Sequence, residues 1–319
     1  MVFSILPLAD ALLRRSFIAS GLRARTVAVD DDTTIHCWIS AALAPQNGKP
    51  NPNPKSGSKP VILLIHGFGP SAMWQWRAQV AALAGRFDLV VPDLIFFGGS
   101  STRSPLRSEA YQAAALARLL DALGVRRLAA AAGTSYGGFV AYHLARALGP
   151  ARVARVVVAS SDLLKSDDDD RAFLGRGAAA GVAAERVADL MLPGDVATIR
   201  ALMGLAFYRP PRFVPDFVLR DIIRSLYNDK LEEKMELIKG VTVGKKDEFQ
   251  LTPLEQEVLI IWGEHDQIFP VKKAFEVKRQ LGEKAKLEIL KKTGHMPQME
   301  DSKRFNRILL NFLLDAPAS

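Results

Sequence analysis

From Pro60 onward, short apolar runs alternate with longer stretches of helical periodicity, and this alternation restricts the possible folds more than any other feature of the sequence. It is typical of parallel βαβ units whose sheet is covered by helices on both faces. The predicted strands are residues 61–65, 89–91, 128–132, 153–159, 258–262 and 286–290. The predicted helices between and after them are residues 72–84, 109–123, 136–148, 271–281 and 302–314. We therefore expect an α/β fold with a mostly parallel central sheet.

The alternation stops at Ser160 and resumes near Glu257, and the stretch between them has helical but little strand-like periodicity. The sequence thus predicts a core formed by residues 1–160 and 251–319, interrupted by a helical insertion over residues 161–250. Four consecutive aspartates, residues 167–170, open this insertion, where we expect them to solvate an exposed helix start. Consecutive carboxylates do not converge on one ion, so no metal site is predicted.

Apolar residues recur at helical spacing near the N-terminus, which predicts an amphipathic helix within residues 1–25, docked on the core. Asp10, Arg14 and Arg15 interrupt any long apolar run, so a membrane-spanning helix is not expected. A weak peripheral membrane contact through residues 1–20 remains an alternative. Two β-branched runs that flank Asp30, Asp31 and Asp32 predict a hairpin, and residues 44–59 predict an exposed loop.

The chain of 319 residues carries a formal net charge of +8, but its basic residues are scattered and no nucleic-acid-binding signature accompanies them. We therefore expect no nucleic-acid partner. The single cysteine, Cys37, excludes an internal disulfide and fits a reducing compartment. The expected location is cytoplasmic or peripheral to a membrane, and the arginines and serines up to Arg25 leave organelle targeting open.

The segment Gly133-Thr134-Ser135-Tyr136-Gly137 lies between a predicted strand and a predicted helix. A serine in this context sits on a tight turn that projects its hydroxyl above the sheet, and the flanking glycines remove side chains that would collide there. The pattern predicts that Ser135 is a nucleophile. A serine hydroxyl needs a general base to become one, and that base needs an orienting acid.

His295 is the one histidine of five that lies in a loop after the last predicted strand, so we predict that it is the base. The acid should follow an earlier strand than the histidine does, and Asp266 lies just beyond the strand that ends at Trp262. Glu264 and Asp162 are the alternatives for this role.

Oxyanion stabilisation requires donors near the nucleophile, and the backbone amides of Tyr136 and Phe68 are the candidates. Phe68 lies in a glycine-rich loop after the first parallel strand. The residues that we predict to contact substrate are His66, Gly67, Phe96, Phe97, Phe207 and Tyr208.

These motifs together resemble the α/β-hydrolase superfamily, in particular its lidded esterase, lipase and carbon-carbon-hydrolase branch. The likeness runs from Pro60 to Leu314 and includes His66-Gly67-Phe68-Gly69, the turn around Ser135, Trp262-Gly263-Glu264-His265-Asp266 and Gly294-His295. It implies that residues 161–250 form a lid, that the oxyanion hole lies at the amides of Phe68 and Tyr136, and that no cofactor takes part.

The expected function is hydrolysis of an apolar or aromatic, small to medium carboxylic ester through an acyl-enzyme on Ser135. Two alternatives remain open. One is a small-molecule receptor on the same fold with slow or no turnover, and the other is a lyase or acyltransferase that uses the same serine.

Overall fold

A mostly parallel sheet forms the centre of the protein in a computed structural model that describes residues 4, 6–44, 59–241 and 249–315. The strands are β1 Leu22–Ala28, β2 Thr33–Ser40, β3 Val61–Ile65, β4 Asp88–Pro92, β5 Ser101–Thr102, β6 Ala130–Thr134, β7 Arg155–Ala159, β8 Glu257–Gly263 and β9 Ala285–Leu290. Across the sheet their order is β1-β2-β4-β3-β6-β7-β8-β9, and β5 pairs with β2.

The six strands from β4 to β9 in this order pair in parallel, whereas β1 and β2 form an antiparallel hairpin at one edge. The prediction of a mostly parallel sheet is therefore confirmed, with shifted strand ends. Residues 128–132 were predicted to be one strand, but β6 runs from Ala130 to Thr134, and Leu128 makes only an isolated bridge to Val153. Because parallel strands end at a common edge, the segments after β6, β8 and β9 lie close together.

Helices cover both faces of the sheet. They are α1 Leu6–Ala19, α2 Ala72–Leu83, α3 Glu109–Ala122, α4 Tyr136–Arg152, α5 Asp167–Ala179, α6 Val187–Met191, α7 Val196–Ala206, α8 Asp216–Ile222, α9 Leu231–Lys239, α10 Lys272–Leu281, α11 Pro297–Glu300 and α12 Ser302–Leu314. Apolar residues of α3, α4 and α10 pack on one face, and those of α1, α2 and α12 pack on the other. The valines, isoleucines and leucines of the strands fill both layers, as the parallel arrangement requires.

The N-terminal helix lies within residues 1–25, as predicted, but it is shorter than that range. Helix α1 ends at Ala19, Gly21 adopts a left-handed conformation with φ 83°, and β1 begins at Leu22. A residue without a Cβ is favoured at such a helix end, so the chain turns there into the sheet. Residues 1–3 and 5 of the predicted helix lie outside the described residues, as do residues 45–58 of the predicted loop.

Five helices, α5 to α9, lie between β7 and β8, in the stretch predicted to be a helical insertion. Residues 242–248 of that stretch are outside the described residues. Among the helices that the structure describes, none combines the length and the apolar character needed to cross a membrane.

Helix α4 approaches β6 and β3 so closely that only hydrogen fits at two positions. A Cβ on Gly133 would lie 2.0 Å from the carbonyl oxygen of Gly137, and a Cβ on Gly137 would lie 2.3 Å from that of Ile65. These neighbours are backbone atoms, which cannot rotate away. The position of α4 on the sheet therefore depends on both glycines.

We predict that Gly137→Ala lowers the free energy of unfolding by about 3 kcal/mol, because overpacking a fixed contact forces the backbone to move. Gly175→Ala is the matched control, since this exposed glycine lies within α5 and a Cβ there would meet nothing within 4 Å. The control should raise stability by up to about 1 kcal/mol. Urea unfolding followed by circular dichroism measures both, and equal stability of the two variants would contradict the prediction.

Candidate active site

Ser135 stands at the junction of β6 and α4 in a backbone conformation that a residue with a side chain rarely adopts, with φ 50° and ψ −123°. Its N–H donates to the carbonyl of Ala159 at 2.8 Å, and its own carbonyl accepts from the N–H of Gly138 at 2.9 Å. Such conformations cost about 1–3 kcal/mol and persist only where the surroundings enforce them. The two hydrogen bonds and the close contact of α4 with the sheet provide that enforcement.

His295 and Asp266 come from two other loops at the same edge of the sheet and complete a chain of hydrogen bonds with Ser135. The Nε2 atom of His295 lies 2.9 Å from Ser135 Oγ, and its Nδ1 atom lies 2.8 Å from Asp266 Oδ2. A carboxylate only accepts hydrogen bonds, so the proton of the neutral imidazole is on Nδ1 and Nε2 accepts from the serine hydroxyl. The backbone N–H of His295 donates to Ala206 at the end of α7.

Asp266 is held in place by its second oxygen. Its Oδ1 atom accepts from the N–H groups of Ile268 at 2.9 Å and Phe269 at 2.8 Å, which fixes the carboxylate toward His295. The two alternative acids face other partners. Glu264 accepts from the N–H of Lys292, and Asp162 pairs with Lys273.

The backbone amides of Phe68 and Tyr136 flank the serine. Within the part of the chain that the structure describes, neither N–H donates to another residue. Tyr136 is the first residue of α4, where unsatisfied amides and the helix dipole favour negative charge. Gly67 allows the Phe68 loop to lie close to Ser135, because a Cβ on Gly67 would lie 2.9 Å from Ser135 Cβ.

A mainly apolar cavity, partly open to solvent, adjoins Ser135. Its apolar lining consists of Phe68, Tyr136, Phe139, Phe173, Val187, Met191, Ile238, Val241, Ile268 and Phe269. Lys165, Asp169 and Asp170 supply the charged part of the lining. Helices α5, α6 and α9 of the insertion thus form one side of the cavity, and the loops of the core form the other.

The six residues predicted to contact substrate do not line this cavity. His66 is fully buried, its Nδ1 bonds to the Gly67 carbonyl, and its Nε2 accepts from the N–H of Leu94. Burial lowers the pKa of its imidazole. Both ring nitrogens are occupied within the core, so His66 is a structural residue that fixes the Phe68 loop.

The other predicted contact residues lie behind or beside the cavity. Phe96 and Phe97 are almost completely buried, and the ring of Phe97 packs edge-on against Phe68. Phe207 packs with the apolar residues of the insertion, and Tyr208 stacks on His265 with ring centroids 4.3 Å apart. The structure thus places these four aromatic residues in packing contacts and not in the lining of the cavity beside Ser135.

Several lining residues were missed, although helical spacing could have revealed them. Phe139 follows Ser135 by four residues in α4, and Phe173 and Met191 follow the lining residues Asp169 and Val187 by four each. Residues four apart lie on one face of a helix. The spacing of the cavity-lining residues of α9 does not reveal them in the same way, because their position depends on how the insertion folds back over the core.

A partly buried charged cluster joins the insertion to the core beside the cavity. Lys273 of α10 lies 3.3 Å from Asp162 and 2.9 Å from Asp169, and Lys165 pairs with Asp170 at 2.6 Å. Burial raises the pKa of Asp162 to about 6, although Lys273 opposes this shift. The aspartates at the start of α5 were predicted to be solvated, but two of them make ion pairs and line the cavity. The described residues contain no group of three or more histidine, cysteine or acidic side chains suited to hold a metal ion.

Comparison with known proteins identifies the family and the fold of the chain. Residues 62–308 match the alpha/beta hydrolase family, and the chain belongs to that family. An uncharacterised protein of Mycobacterium tuberculosis is 29% identical over 268 residues, which cover 81% of this chain and 76% of that protein. A 2-hydroxy-6-oxononadienedioate/2-hydroxy-6-oxononatrienedioate hydrolase of a Pseudomonas species is 25% identical, covering 84% and 92% of the two chains. The fold matches the crystal structure of a bacterial membrane phospholipase A with a TM-score of 0.74, 22% identity and coverage of 98% and 93%.

We predict that Lys273→Met destabilises the protein more at pH 7.5 than at pH 5, because it leaves the carboxylates of Asp162, Asp169 and Glu276 without their cation. Removing one partner of a buried pair costs about 3–5 kcal/mol. Without the Lys273 ammonium, the pKa of Asp162, which burial already raises, increases further. At pH 5 the Asp162 carboxyl is then protonated and neutral, so the missing cation costs less stability than at pH 7.5. Stability therefore falls as the pH increases through the pKa of Asp162.

The exposed neighbour Lys272 provides the control, and Lys272→Met should leave stability nearly unchanged at both values of pH. Thermal unfolding of the three proteins at the two pH values measures the effect. An equal loss at pH 5 and pH 7.5 for Lys273→Met would show that ionisation of Asp162 is not its cause.

Proposed function

We propose that this protein is a serine hydrolase that cleaves uncharged carboxylic esters with an apolar acyl or aromatic group. The observation that carries the proposal is the hydrogen-bonded series Ser135 Oγ, His295 Nε2, His295 Nδ1 and Asp266 Oδ2 beside an apolar cavity. Membership of the alpha/beta hydrolase family supports hydrolysis as the reaction class.

In the proposed reaction, Ser135 Oγ attacks the ester carbonyl carbon while its proton passes to His295 Nε2. The carbonyl electrons move to the oxygen, which receives hydrogen bonds from the amides of Phe68 and Tyr136. When the tetrahedral intermediate collapses, the alcohol leaves with the proton from Nε2 and the acyl group stays on Ser135. Water then attacks the acyl-enzyme, gives its proton to Nε2, and the acid departs as the proton returns to the serine.

Asp266 stabilises the imidazolium that forms twice in this cycle, and its two backbone hydrogen bonds keep it oriented. The amide donors are each worth about 2.7–4 kcal/mol in the transition state of comparable enzymes. The residues at the site supply all the proton transfers that ester hydrolysis requires.

The charges around the cavity favour an uncharged substrate over a dicarboxylate of the kind named for the Pseudomonas relative. Among the described lining residues, the one cation is Lys165, and its ammonium already pairs with Asp170. Asp169 and Asp170 of the same wall are paired with Lys273 and Lys165, so a substrate carboxylate would lose its water here without gaining a cation from the described lining residues. A neutral ester meets no such barrier.

We predict that Ser135→Ala and His295→Ala each lower kcat for p-nitrophenyl esters by about 10⁶-fold, and that Asp266→Asn lowers it by about 10⁴-fold because the imidazole loses its correct tautomer. Labelling by a fluorophosphonate should disappear in Ser135→Ala. His265→Ala is the matched control, because its ring is half exposed and stacks on Tyr208 outside the cavity. The control should label and turn over like the parent protein.

Labelling of folded protein without turnover of any ester would favour a receptor on this fold over an enzyme. Transfer of the acyl group to a competing alcohol, seen by product analysis, would favour an acyltransferase. Labelling that survives in Ser135→Ala would contradict the proposed nucleophile.

A second prediction concerns the length of the ester acyl chain that the cavity accepts. Met191→Trp should lower kcat/KM for a p-nitrophenyl octanoate about tenfold while leaving the acetate nearly unchanged, because the larger ring fills space that the longer chain needs. Met235→Trp is the control, since Met235 lies on α9 of the same insertion but does not line the cavity. Parallel losses for octanoate and acetate would show that the cavity does not bind the acyl chain.

A further inference from the structure

Large apolar side chains that remain exposed are concentrated on two neighbouring elements. Of the eight that the described residues contain, three lie on α1 and two lie at or just before α8. They are Leu8 at 67% exposure, Leu12 at 57%, Ile18 at 48%, Phe213 at 94% and Phe217 at 53%. Single exposed leucines are ordinary, but a group of this kind marks a surface that meets an apolar phase or a partner.

The outer face of α1 combines these residues with positive charge and lacks negative charge. Arg14 and Arg15 are exposed between Leu12 and Ile18. The one acidic residue of the helix, Asp10, lies on the inner side, where its carboxylate accepts from Trp74 Nε1 at 2.8 Å. The opposite side of the helix is anchored, because Leu6 and Phe17 are buried against the core.

Helix α1 is joined to α8 of the insertion through Asp221. The Oδ2 atom of this buried carboxylate accepts from Ser4 Oγ at 2.7 Å and from the N–H of Leu6 at 3.4 Å. Phe217 lies one turn before Asp221 on the same side of α8. The start of α1 and the helix that carries Phe217 are therefore in direct contact.

Basic residues also surround the phenylalanines. Arg209, Arg212 and Arg220 are exposed around Phe213 and Phe217. The nearby acid Asp216 is paired with Arg200 and Arg220. Exposed apolar side chains bordered by arginines match an interface that is apolar inside and anionic at its surface.

We propose that this surface, the α1–α8 face, docks on a bilayer that contains anionic phospholipids. We define it by Leu8, Leu12, Arg15, Ile18, Arg212, Phe213 and Phe217. Its apolar side chains enter the headgroup region, and its arginines contact lipid phosphates. A second copy fits this face less well, because a two-fold contact would bring Arg14 and Arg15 close to their own copies.

The test is co-sedimentation of the full chain with phosphatidylcholine vesicles, with and without phosphatidylserine. The parent protein should bind vesicles that contain phosphatidylserine, and added salt should weaken binding. Leu8→Ser with Leu12→Ser should lower the partition coefficient about tenfold or more, as should Phe213→Ser with Phe217→Ser. Arg15→Gln and Arg212→Gln should each lower it about fivefold.

Phe275→Ser is the matched control, because Phe275 is as exposed as Leu12, at 57%, but lies on α10 over the opposite face of the sheet. Its binding should equal that of the parent protein, and circular dichroism should show that all variants are folded. The proposal fails if the parent protein does not bind anionic vesicles, or if the variants bind them as strongly as the control does. It also fails if the parent forms a dimer without lipid that Leu8→Ser with Leu12→Ser dissociates.

Discussion

The strained backbone of Ser135 is the constraint on which the rest of the site depends. A φ of 50° at a residue with a side chain is maintained because α4 is pressed onto β6 and β3, and glycines at 133 and 137 permit that contact. The sheet provides the rigid base, and the parallel strand order brings the loops after β8 and β9 to the same edge. His295 and Asp266 then need only short loops to reach the serine. The strain is local, whereas the structure that sustains it extends across the sheet.

Much of this arrangement could be predicted from the sequence, because it follows from short-range patterns. Alternating apolar runs identified the parallel strands, and Gly133-Thr134-Ser135-Tyr136-Gly137 identified the turn before α4. Asp266 could only be ranked ahead of Glu264 and Asp162, since all three follow strands in sequence. What separates them is the direction of each side chain: Asp266 faces His295, Glu264 faces Lys292, and Asp162 faces Lys273. That direction depends on loop conformation, which a linear pattern does not encode.

The cavity was harder to predict, because its walls come from segments far apart in the chain. The aromatic residues Phe96 and Phe97, near the glycine-rich loops, fill the core, whereas Phe173 and Met191 of the insertion line the cavity beside Ser135. The aspartates at the start of α5 illustrate the same difficulty. Their charge suggested solvent exposure, but Lys273 reaches Asp169 from a helix more than a hundred positions later. Ion pairs and cavity walls of this kind are properties of the assembled fold.

The spacing of the three hydrogen-bonded residues has a consequence for the newly made chain. Ser135 and His295 are separated by 160 positions, and both β8 and β9 lie between them in sequence. While those strands are still being synthesised, the serine has neither its base nor the acid that orients it. In the proposed mechanism, the emerging polypeptide therefore carries a serine hydroxyl that has no base to activate it. The proposed nucleophile would become reactive only when the last third of the chain has joined the sheet, so chemical labelling of the serine would then report complete folding of each molecule.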